Sequence, residues 1–366
     1  MKVLLVGEYS NVHWTLAEGL RSLGHEVTVL SDGDIWKGYR RDINLKRKSL
    51  GRWDTLRYLW QIRQTWPKLR GYDIVQLINP VFLDLKAERI WPYYEKLRQQ
   101  NGKIVLGAFG VDYYWVSEGL KPGTFRYSDF YLNGKLRNNN SVDEMVGDWI
   151  EGAKGPLNKQ MAEDCDAIVS GLYEYDVCYR PHFGEKTTFI PFPINREAAS
   201  PVQTWKEGEK VRFFIGIQRA RNVYKGTDIM LQALEELQNR YPNQMTISKA
   251  ESVPFHQYQE MMKHSHVLLD QLYSYTPAMN ALNAMAKGLV VVSGGEEEQY
   301  ELLDERELRP IVNVLPSRED VIQKLESLIL RPQAIPQLSD ESKEYIRRHH
   351  DHILIAQKYE KLYESL

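Results

Sequence analysis

Residues 2–31, KVLLVGEYSNVHWTLAEGLRSLGHEVTVLS, carry the pattern that decides the fold. Residues 3–6 form a continuous apolar run, which is typical of a strand buried on both faces of a sheet. Residues 12–23 have the apolar spacing of an amphipathic helix, and Gly24 ends it before a second strand at residues 26–30. A strand, a helix and a strand at this spacing predict a βαβ unit with a right-handed crossover.

The same alternation continues outward from this unit in two series. In the first series, apolar strand cores recur at residues 74–78, 104–106 and 167–169. In the second series, the predicted strands are residues 211–217, 245–248, 266–269, 288–292 and 311–315, and the predicted helices are residues 224–240, 255–264, 277–287 and 319–330. Such alternation is typical of a parallel sheet with helices on both faces, so each series predicts a doubly wound α/β domain.

The segment at residues 191–210 is rich in proline and polar residues and is the predicted linker between the two domains. We therefore expect an N-terminal domain at residues 1–195, a C-terminal domain at residues 205–341 and a final helix at residues 342–366. Two doubly wound domains that face each other leave a cleft at the carboxyl ends of both sheets, where open α/β sheets bind ligands.

The length and composition are those of an ordinary globular protein. The 366 residues include 47 Lys and Arg against 49 Asp and Glu, a net charge of −2, so the global basic signal of a nucleic-acid-binding protein is absent. Cys165 and Cys178 are too few for a disulfide scaffold or a cysteine-rich zinc site, and they favour the reducing cytoplasm. No signal peptide is expected, and no apolar stretch approaches the length of about 18 residues that spans a membrane.

Positive charge is concentrated at residues 36–70, which we name the basic tryptophan segment. From residue 37 onward it contains eleven Lys and Arg but only Asp42 and Asp54 as acidic residues, a local net charge of +9. Four tryptophans are interleaved with these charges: Trp36, Trp53, Trp60 and Trp66. Such a pattern suits anionic headgroups or a diphosphate-bearing acceptor and predicts peripheral membrane contact. The alternative is a solvated basic helix at residues 52–69 whose tryptophans pack inward.

A second group of basic residues follows the first strand of the second series, in FFIGIQRARNVYKGTDIMLQAL at residues 213–234. Arg219, Arg221 and Lys225 belong to what we name the cationic loop, residues 218–226, where it meets a predicted helix N-terminus. Free N–H groups and positive potential at a helix N-terminus favour a diphosphate. Gly226 would let the backbone approach such a ligand closely. The alternative is an ordinary solvated basic turn.

The third informative stretch is HVLLDQLYSYTPAMNALNAMAKGLVVVSGGEEEQYE, residues 266–301. Together with the cationic loop, it resembles the donor half of GT-B glycosyltransferases, in particular the large retaining family-four group. That family has an Arg and a Lys-Gly pair before a helix, and then a Glu-x7-Glu element ending in Glu-Ala-Met-Ala-x-Gly. NAMAKGLVVVSGG, residues 283–295, matches the second half of this element.

The resemblance extends over most of the chain. Residues 7–31 are similar to the N-terminal strand, loop and helix of the family, residues 189–197 (FIPFPINRE) to its interdomain segment, and residues 347–366 to its closing helix, which packs back on the first domain. The likeness implies the GT-B fold, that is, two Rossmann-like domains with an acceptor side in the first and a nucleotide-sugar site in the second.

The activity that the resemblance implies is sugar transfer from a nucleotide-diphosphate donor to a saccharide or lipid-linked hydroxyl, with retention of configuration, as in polysaccharide biosynthesis. Lys225, Gly226 and one arginine would bind the donor diphosphate. We favour Arg219 over Arg221 because it follows the strand more closely. With these cations present, neither a metal nor another cofactor is expected.

Two donor-site positions depart from the family pattern. Tyr275 replaces the first glutamate, and Asn283 replaces the second glutamate, which binds the ribose hydroxyls in the family. The N–H groups of Gly294 and Gly295 would approach the sugar. No catalytic residue is assigned, and the departures leave an alternative function: a weak or inactive GT-B homologue that binds a saccharide or a nucleotide.

His13 and Asp112 are the acceptor-side candidates. His13 follows the first strand and could orient an acceptor hydroxyl, although a lone histidine is also often structural. Asp112 is retained beside Phe109 and Gly110, where a family histidine is missing. The aromatic-rich residues 113–155 could stack on sugar rings or form a packed insertion, and the Asp-x-Asp strings at 32–34 and 164–166 could bind a metal only in a different class of transferase.

Overall fold

The computed structural model of the protein describes residues 1–35 and 37–366, and it describes Ala220 through its backbone alone. The chain folds into two units, each with its own sheet. The first unit consists of Met1–Glu118, Met145–Pro193 and His352–Leu366, and the second of Gly119–Glu144 and Ile194–Asp351. Each unit therefore combines segments that are far apart in the sequence.

The strands follow one another along the chain as β1 (Lys2–Val6), β2 (Glu26–Ser31), β3 (Ile43–Asn44), β4 (Ile74–Leu77), β5 (Lys103–Ala108), β6 (Tyr131–Leu132), β7 (Lys135–Leu136), β8 (Ala167–Ser170), β9 (Thr187–Phe189), β10 (Val211–Ile217), β11 (Met245–Glu251), β12 (Val267–Leu269), β13 (Val290–Ser293) and β14 (Val312–Asn313). The helices are α1 (Val12–Ser22), α2 (Arg52–Thr65), α3 (Trp91–Gln100), α4 (Tyr113–Gly119), α5 (Asn140–Val146), α6 (Lys154–Asp164), α7 (Tyr173–Phe183), α8 (Asn222–Lys225), α9 (Thr227–Arg240), α10 (Phe255–Lys263), α11 (Met279–Lys287), α12 (Glu297–Leu302), α13 (Arg318–Leu330), α14 (Ala334–His349) and α15 (His352–Glu364). In the part of the chain that the structure describes, no helix combines the length and the apolarity that crossing a membrane requires.

The sheet of the first unit has the strand order β3-β2-β1-β4-β5-β8-β9, and all of its neighbouring strands are parallel. The central strands consist mostly of apolar residues that are buried completely, as at Val3, Leu77 and Leu106, and Gln76 is a buried polar residue among them. Continuous apolar strands are required here because helices cover both faces of a doubly wound sheet. The predicted strands and the α/β fold of this half are thus confirmed.

The sheet of the second unit has the order β11-β10-β12-β13-β14, again with parallel neighbours throughout. Helices α9 and α13 pack on it through a core that includes Phe213, Ile215, Leu234, Val292 and Leu325. The chain adds β11 on one side of β10 and then crosses back to add β12 on the other side. The topological switch point therefore lies beside β10, and doubly wound sheets bind ligands at such a point.

Helices α1 and α15 pack closely within the first unit. A Cβ atom at Gly19 would lie 2.3 Å from the carbonyl oxygen of His352 and 2.8 Å from the Cβ atom of Ala356. Only glycine fits at this helix crossing, since the nearest atom belongs to the backbone of the other helix. The last helix of the chain therefore completes the fold around the first one.

Two features of the organisation differ from the sequence-based expectation. The single helix predicted at residues 342–366 is two helices, α14 in the second unit and α15 in the first. Their junction is held by a hydrogen bond from the Ile194 N–H to the His350 carbonyl (2.7 Å) and by Arg196, whose Nε atom lies 2.7 Å from Asp351 Oδ2. The second difference is Gly119–Glu144, which belongs to the second unit and not to the domain expected at residues 1–195.

Replacing Gly19 with Ala is expected to lower the free energy of unfolding by about 1–3 kcal/mol, because the added methyl group meets a backbone oxygen that cannot move aside. At an ordinary helix position the same change would stabilise the protein by about 0.5–1 kcal/mol. Urea unfolding of the two proteins measures the difference. Gly147→Ala is the matched control, since a Cβ atom there meets nothing within 4 Å. A Gly19→Ala protein as stable as the control would contradict the close packing of α1 and α15.

Candidate functional site

The cationic loop lies at the carboxyl edge of the second sheet, beside the loop that follows β12. The Leu272 N–H donates a hydrogen bond of 2.9 Å to the carbonyl oxygen of Lys225. Gly226 has a φ of +71°, and a Cβ atom there would lie 2.7 Å from the Leu272 Cβ atom and 2.8 Å from the Tyr273 ring. Both the left-handed conformation and the lack of space require glycine. The chain therefore turns tightly from α8 into α9 against the β12 loop.

The three cations of the loop have different surroundings. Lys225 is half-buried, and among the described residues its ammonium has no hydrogen-bond or ion-pair partner. Arg219 is 82% exposed and donates from Nε to Glu251 Oε1 at 2.7 Å, and this hydrogen bond raises its pKa. Arg221 is exposed and, within the same described residues, unpaired. Lys225 and Arg221 thus carry positive charge that no carboxylate of the described chain neutralises.

A third loop, after β13, joins the same edge of the sheet. The Glu296 N–H donates to the Tyr275 carbonyl at 3.0 Å. A Cβ atom at Gly294 would lie 1.8 Å from the Ser274 carbonyl oxygen, and the Gly295 N–H donates to Asn313 Oδ1 at 2.9 Å. The structure therefore brings Tyr275, Gly294 and Gly295 together at this edge of the sheet.

Tyr275, which stands at the first glutamate position, is covered by the insertion Gly119–Glu144. The side chain is 2% exposed, and its hydroxyl accepts a hydrogen bond of 2.7 Å from the Arg126 N–H. Its ring lies 5.5 Å from that of Phe125 and 5.0 Å from that of Tyr127, and the Arg126 guanidinium lies 5.0 Å from its centre. Burial raises the pKa of the phenol, so Tyr275 acts here as a neutral acceptor.

The insertion also neutralises the acidic residues that follow the glycine pair. Arg126 forms ion pairs with Glu296, at 2.6 Å, and with Glu298. The buried Glu296 carboxylate additionally accepts from the Tyr127 hydroxyl at 2.6 Å and from Asn313 Nδ2 at 3.0 Å. These hydrogen bonds compensate the loss of hydration of the carboxylate. The sequence contained the acidic triplet but gave no signal that Arg126, 170 residues away, would pair with it.

Arg137 connects the insertion with the cationic loop. Its guanidinium lies 3.3 Å from the centre of the Tyr273 ring, and it donates to the carbonyl oxygens of Val223 at 2.7 Å and Asp129 at 2.9 Å. It has no carboxylate partner among the described residues. Sequence analysis did not single out this cation, which adds to the positive charge near the loop.

Asn283, the predicted ribose ligand, lies half-buried on α11, where its Nδ2 atom donates to the Met279 carbonyl at 2.7 Å. One turn earlier, Asn280 donates to Asp270 Oδ1 at 2.8 Å and accepts from the Tyr258 hydroxyl at 3.1 Å. The second oxygen of Asp270 is buried without a partner among the described residues. Asp270 and Asn280 are therefore polar groups at this edge that the sequence-based assignment did not include.

The acceptor-side candidates of the first unit are both buried. His13 Nδ1 lies 2.9 Å from the Gly7 carbonyl, and its Nε2 lies 3.2 Å from the Gln76 amide, whose oxygen accepts from the Tyr363 hydroxyl at 2.7 Å. Burial lowers the pKa of His13 to about 3, so the ring is neutral. Both ring nitrogens serve the core, which is the structural role that sequence analysis left as the alternative.

Two buried carboxyl groups lie near the carboxyl edge of the first sheet. Asp112 accepts from the Tyr179 hydroxyl at 2.8 Å and from the Trp115 N–H at 2.9 Å, and burial raises its pKa to about 7. Glu8 accepts from the N–H groups of His13 and Trp14, at 3.3 and 2.9 Å, and burial raises its pKa to about 8. Glu8 was missed by sequence analysis, although it lies only two residues after the apolar strand β1.

The Asp-x-Asp strings serve local structure. Asp32 accepts from the N–H groups of Asp34 and Ile35, and Asp34 forms an ion pair of 2.6 Å with Lys37. Asp166 forms an ion pair with Arg98. Across the described chain, no three histidine, cysteine or acidic side chains are grouped so that they could hold a metal ion.

The described part of the basic tryptophan segment, residues 37–70, contains β3, α2 and their flanking loops, and its tryptophans do not all pack inward. Trp53 and Trp60 are 85% and 61% exposed, and Leu56 between them is 58% exposed. Trp66 is half-buried and donates from its indole N–H to Gln100 at 3.0 Å. Trp36 lies outside the described residues. The alternative of a helix with inward-facing tryptophans is therefore wrong for α2.

Comparison with known proteins identifies the fold. No protein-family model matches the chain, and no curated protein sequence matches it. Among solved structures, sucrose-phosphate synthase from Thermosynechococcus elongatus is similar with a TM-score of 0.65 and 13% identity, over 100% of this chain and 98% of that one. HepE from Anabaena, solved in complex with UDP and glucose, has a TM-score of 0.59 and 12% identity, over 100% of both chains. The glycosyltransferase WaaG of lipopolysaccharide biosynthesis has a TM-score of 0.56 and 13% identity, over 98% of both chains.

At this low identity the likeness establishes the fold and not the chemistry. The chain has the fold of GT-B glycosyltransferases, two Rossmann-like domains, over its whole length. The GT-B fold that we expected from residues 213–234 and 266–301 is thereby confirmed.

Replacing Arg126 with Ala is expected to lower the free energy of unfolding by about 1–3 kcal/mol, because the buried Glu296 carboxylate loses its only cationic partner among the described residues. Urea unfolding measures this change, and limited proteolysis measures access to the insertion. Arg306→Ala is the control, since Arg306 pairs with Asp304 at the surface. Equal stability of the two variants would show that the Arg126 ion pairs do not hold the insertion in place.

Replacing His13 with Asn is expected to reduce the loss of stability on acidification. The pKa of His13 falls from 6.5 to about 3 on folding, so unfolding takes up a proton below about pH 6.5 and stability falls as the pH drops. Between pH 7 and pH 5 this residue accounts for about 2 kcal/mol. Urea unfolding at pH 7 and at pH 5 gives the change in the free energy of unfolding for each protein. An unchanged difference in the variant would show that His13 titrates normally in the folded protein.

Proposed function

We propose that this protein is a glycosyltransferase that moves a sugar from a nucleotide-diphosphate donor to a saccharide or lipid-linked hydroxyl, with retention of configuration. The proposed place of action is the cytoplasmic face of a membrane, in polysaccharide biosynthesis. The GT-B fold is compatible with this chemistry, and the proposal depends on the residues at the carboxyl edge of the second sheet.

The observation that carries the proposal is the half-buried, unpaired Lys225 within the described residues of the cationic loop, next to Gly226. A cation without a carboxylate partner at the switch point of a doubly wound sheet is ready to bind an anion, because no ion pair has to break first. Gly294 and Gly295 follow β13 at the same edge of the sheet, where the Gly295 N–H already donates to Asn313 Oδ1.

Lys225 would stabilise the diphosphate that leaves when the glycosidic bond to the donor breaks, since negative charge grows there in the transition state. Arg219 stays the proposed second cation, and its pairing with Glu251 is an exposed, weak ion pair that a diphosphate could replace. Arg221 has no carboxylate partner among the described residues, so no ion pair would have to break before it binds a diphosphate. Asn283 would hydrogen-bond the ribose hydroxyls, with less strength than the charged glutamate of the family.

A nucleotide sugar as donor is further supported by one structural neighbour, since HepE was solved with UDP and glucose and also with UDP-glucose. We propose that this chain likewise takes a nucleotide sugar. With cations at the diphosphate, no metal is proposed for its binding.

The alternative function is a binding protein that keeps the fold and the diphosphate site without turnover. It is favoured by one observation: the first glutamate position is Tyr275, whose hydroxyl and ring are engaged by the insertion. Thermal shift with UDP, GDP and UDP-glucose, combined with release of free nucleotide from the sugar donor, separates the two functions. Stabilisation with turnover favours the transferase, and stabilisation without turnover favours the binding protein.

Replacing Lys225 with Ala is expected to weaken UDP binding by about tenfold and transfer by about 10²–10³-fold, because the charge matters most in the transition state. Calorimetric titration and donor turnover measure the two effects. Lys225→Arg should keep part of the UDP affinity and part of the transfer activity. Lys206→Ala is the control, at an exposed lysine of the same unit. Unchanged nucleotide affinity and unchanged transfer in Lys225→Ala would refute this assignment.

A further inference from the structure

Helix α2 has two faces of opposite character. Its inner face carries Tyr58 and Ile62, which are both buried. On the outer face, Trp53, Leu56 and Trp60 are exposed and follow a spacing of three and four residues, so they form one continuous stripe along the helix. Burying large apolar side chains is favourable, so an exposed stripe that contains two tryptophans marks an interaction surface.

Arginines flank this stripe on both sides. At 100° per residue, Arg57 lies beside the stripe on one side, and Arg52 and Arg63 lie beside it on the other. All three are exposed, and none has a hydrogen-bond or ion-pair partner among the described residues. The outer face of α2 is thus an apolar stripe with a positive border.

The charge around α2 is also uncompensated over a wider area. Of the eleven basic residues at 37–70, Lys37 alone forms an ion pair within the described chain, with Asp34. A cluster of this size without carboxylate partners attracts anions strongly at low ionic strength. An occupant of the surface must therefore combine negative charge with an apolar layer.

We propose that the outer face of α2 binds the surface of a bilayer that contains anionic phospholipids. In this arrangement α2 lies in the plane of the membrane, with Trp53, Leu56 and Trp60 at the boundary between headgroups and acyl chains. Arg52, Arg57 and Arg63 then contact the phosphate groups of the headgroups.

Physical complementarity favours lipid over a second copy of the chain. Two copies that met through this face would bring two clusters of net charge +9 together, and the repulsion would oppose association. A bilayer offers phosphates at the level of the arginines and an apolar layer just below them, the arrangement in which tryptophan is enriched in membrane proteins. The inference does not rest on the transferase proposal, because the surface binds without a nucleotide.

The test is flotation of the full chain with vesicles of phosphatidylcholine alone and with vesicles in which about a third of the lipid is phosphatidylglycerol. We expect binding to the anionic vesicles at about 0.1 M salt and a strong reduction at about 1 M, since salt screens the attraction. The double variant Trp53→Ala/Trp60→Ala should lose at least about tenfold in partitioning, and Arg57→Gln/Arg63→Gln should reduce the preference for anionic lipid.

Matched controls distinguish binding through this surface from nonspecific binding by exposed side chains elsewhere. Leu315→Ala/Leu330→Ala removes two exposed apolar side chains elsewhere, and Arg306→Gln/Arg331→Gln removes two exposed charges elsewhere; both should bind as the unchanged protein does. Absent binding to anionic vesicles, or equal binding by the Trp53/Trp60 variant, would overturn the proposal. Self-association in sedimentation velocity that this variant abolishes would assign the face to a second copy instead. Flotation is done without a nucleotide-sugar donor. A negative flotation result would therefore overturn only the lipid-binding proposal, whereas an unchanged Lys225→Ala protein would overturn only the transferase proposal.

Discussion

The hydrogen bond from the Leu272 N–H to the Lys225 carbonyl is the interaction on which the candidate donor site depends. It joins the loops after β10 and β12, which begin side by side because the two strands are parallel neighbours. Gly226 makes the joint possible, since its backbone is left-handed and its missing Cβ atom leaves room for Leu272 and Tyr273. The loop backbone is thereby fixed, while the Lys225 ammonium keeps no partner in the described chain.

The insertion gives a physical reason for the departure from the family pattern at position 275. A glutamate at this position would add a third carboxylate near Glu296 and Glu298, which already share Arg126. Tyrosine avoids this repulsion and supplies a ring for the Arg126 guanidinium. Its hydroxyl also accepts a hydrogen bond from the backbone N–H of Arg126. The residue at 275 and the insertion thus fit each other.

Much of the fold could be predicted from local sequence, because buried parallel strands such as β1 and β13 are continuous apolar runs with glycine turns beside them. The cationic loop was located for the same reason, since it follows such a strand. The partners of these residues were not predictable. Arg126 meets Glu296 only through the path of an insertion, and His13 is a core residue because Tyr363, at the other end of the chain, orients its partner Gln76.

The packing of α15 against Gly19 has a consequence for synthesis of the chain. The first unit receives its final helix only after the whole second unit has been translated, since α15 begins at His352. On the ribosome, the side of α1 that surrounds Gly19 therefore stays uncovered while more than half of the polypeptide emerges. Completion of the N-terminal core is a late event in biogenesis, and a nascent chain that stops before α15 presents that uncovered apolar surface to chaperones.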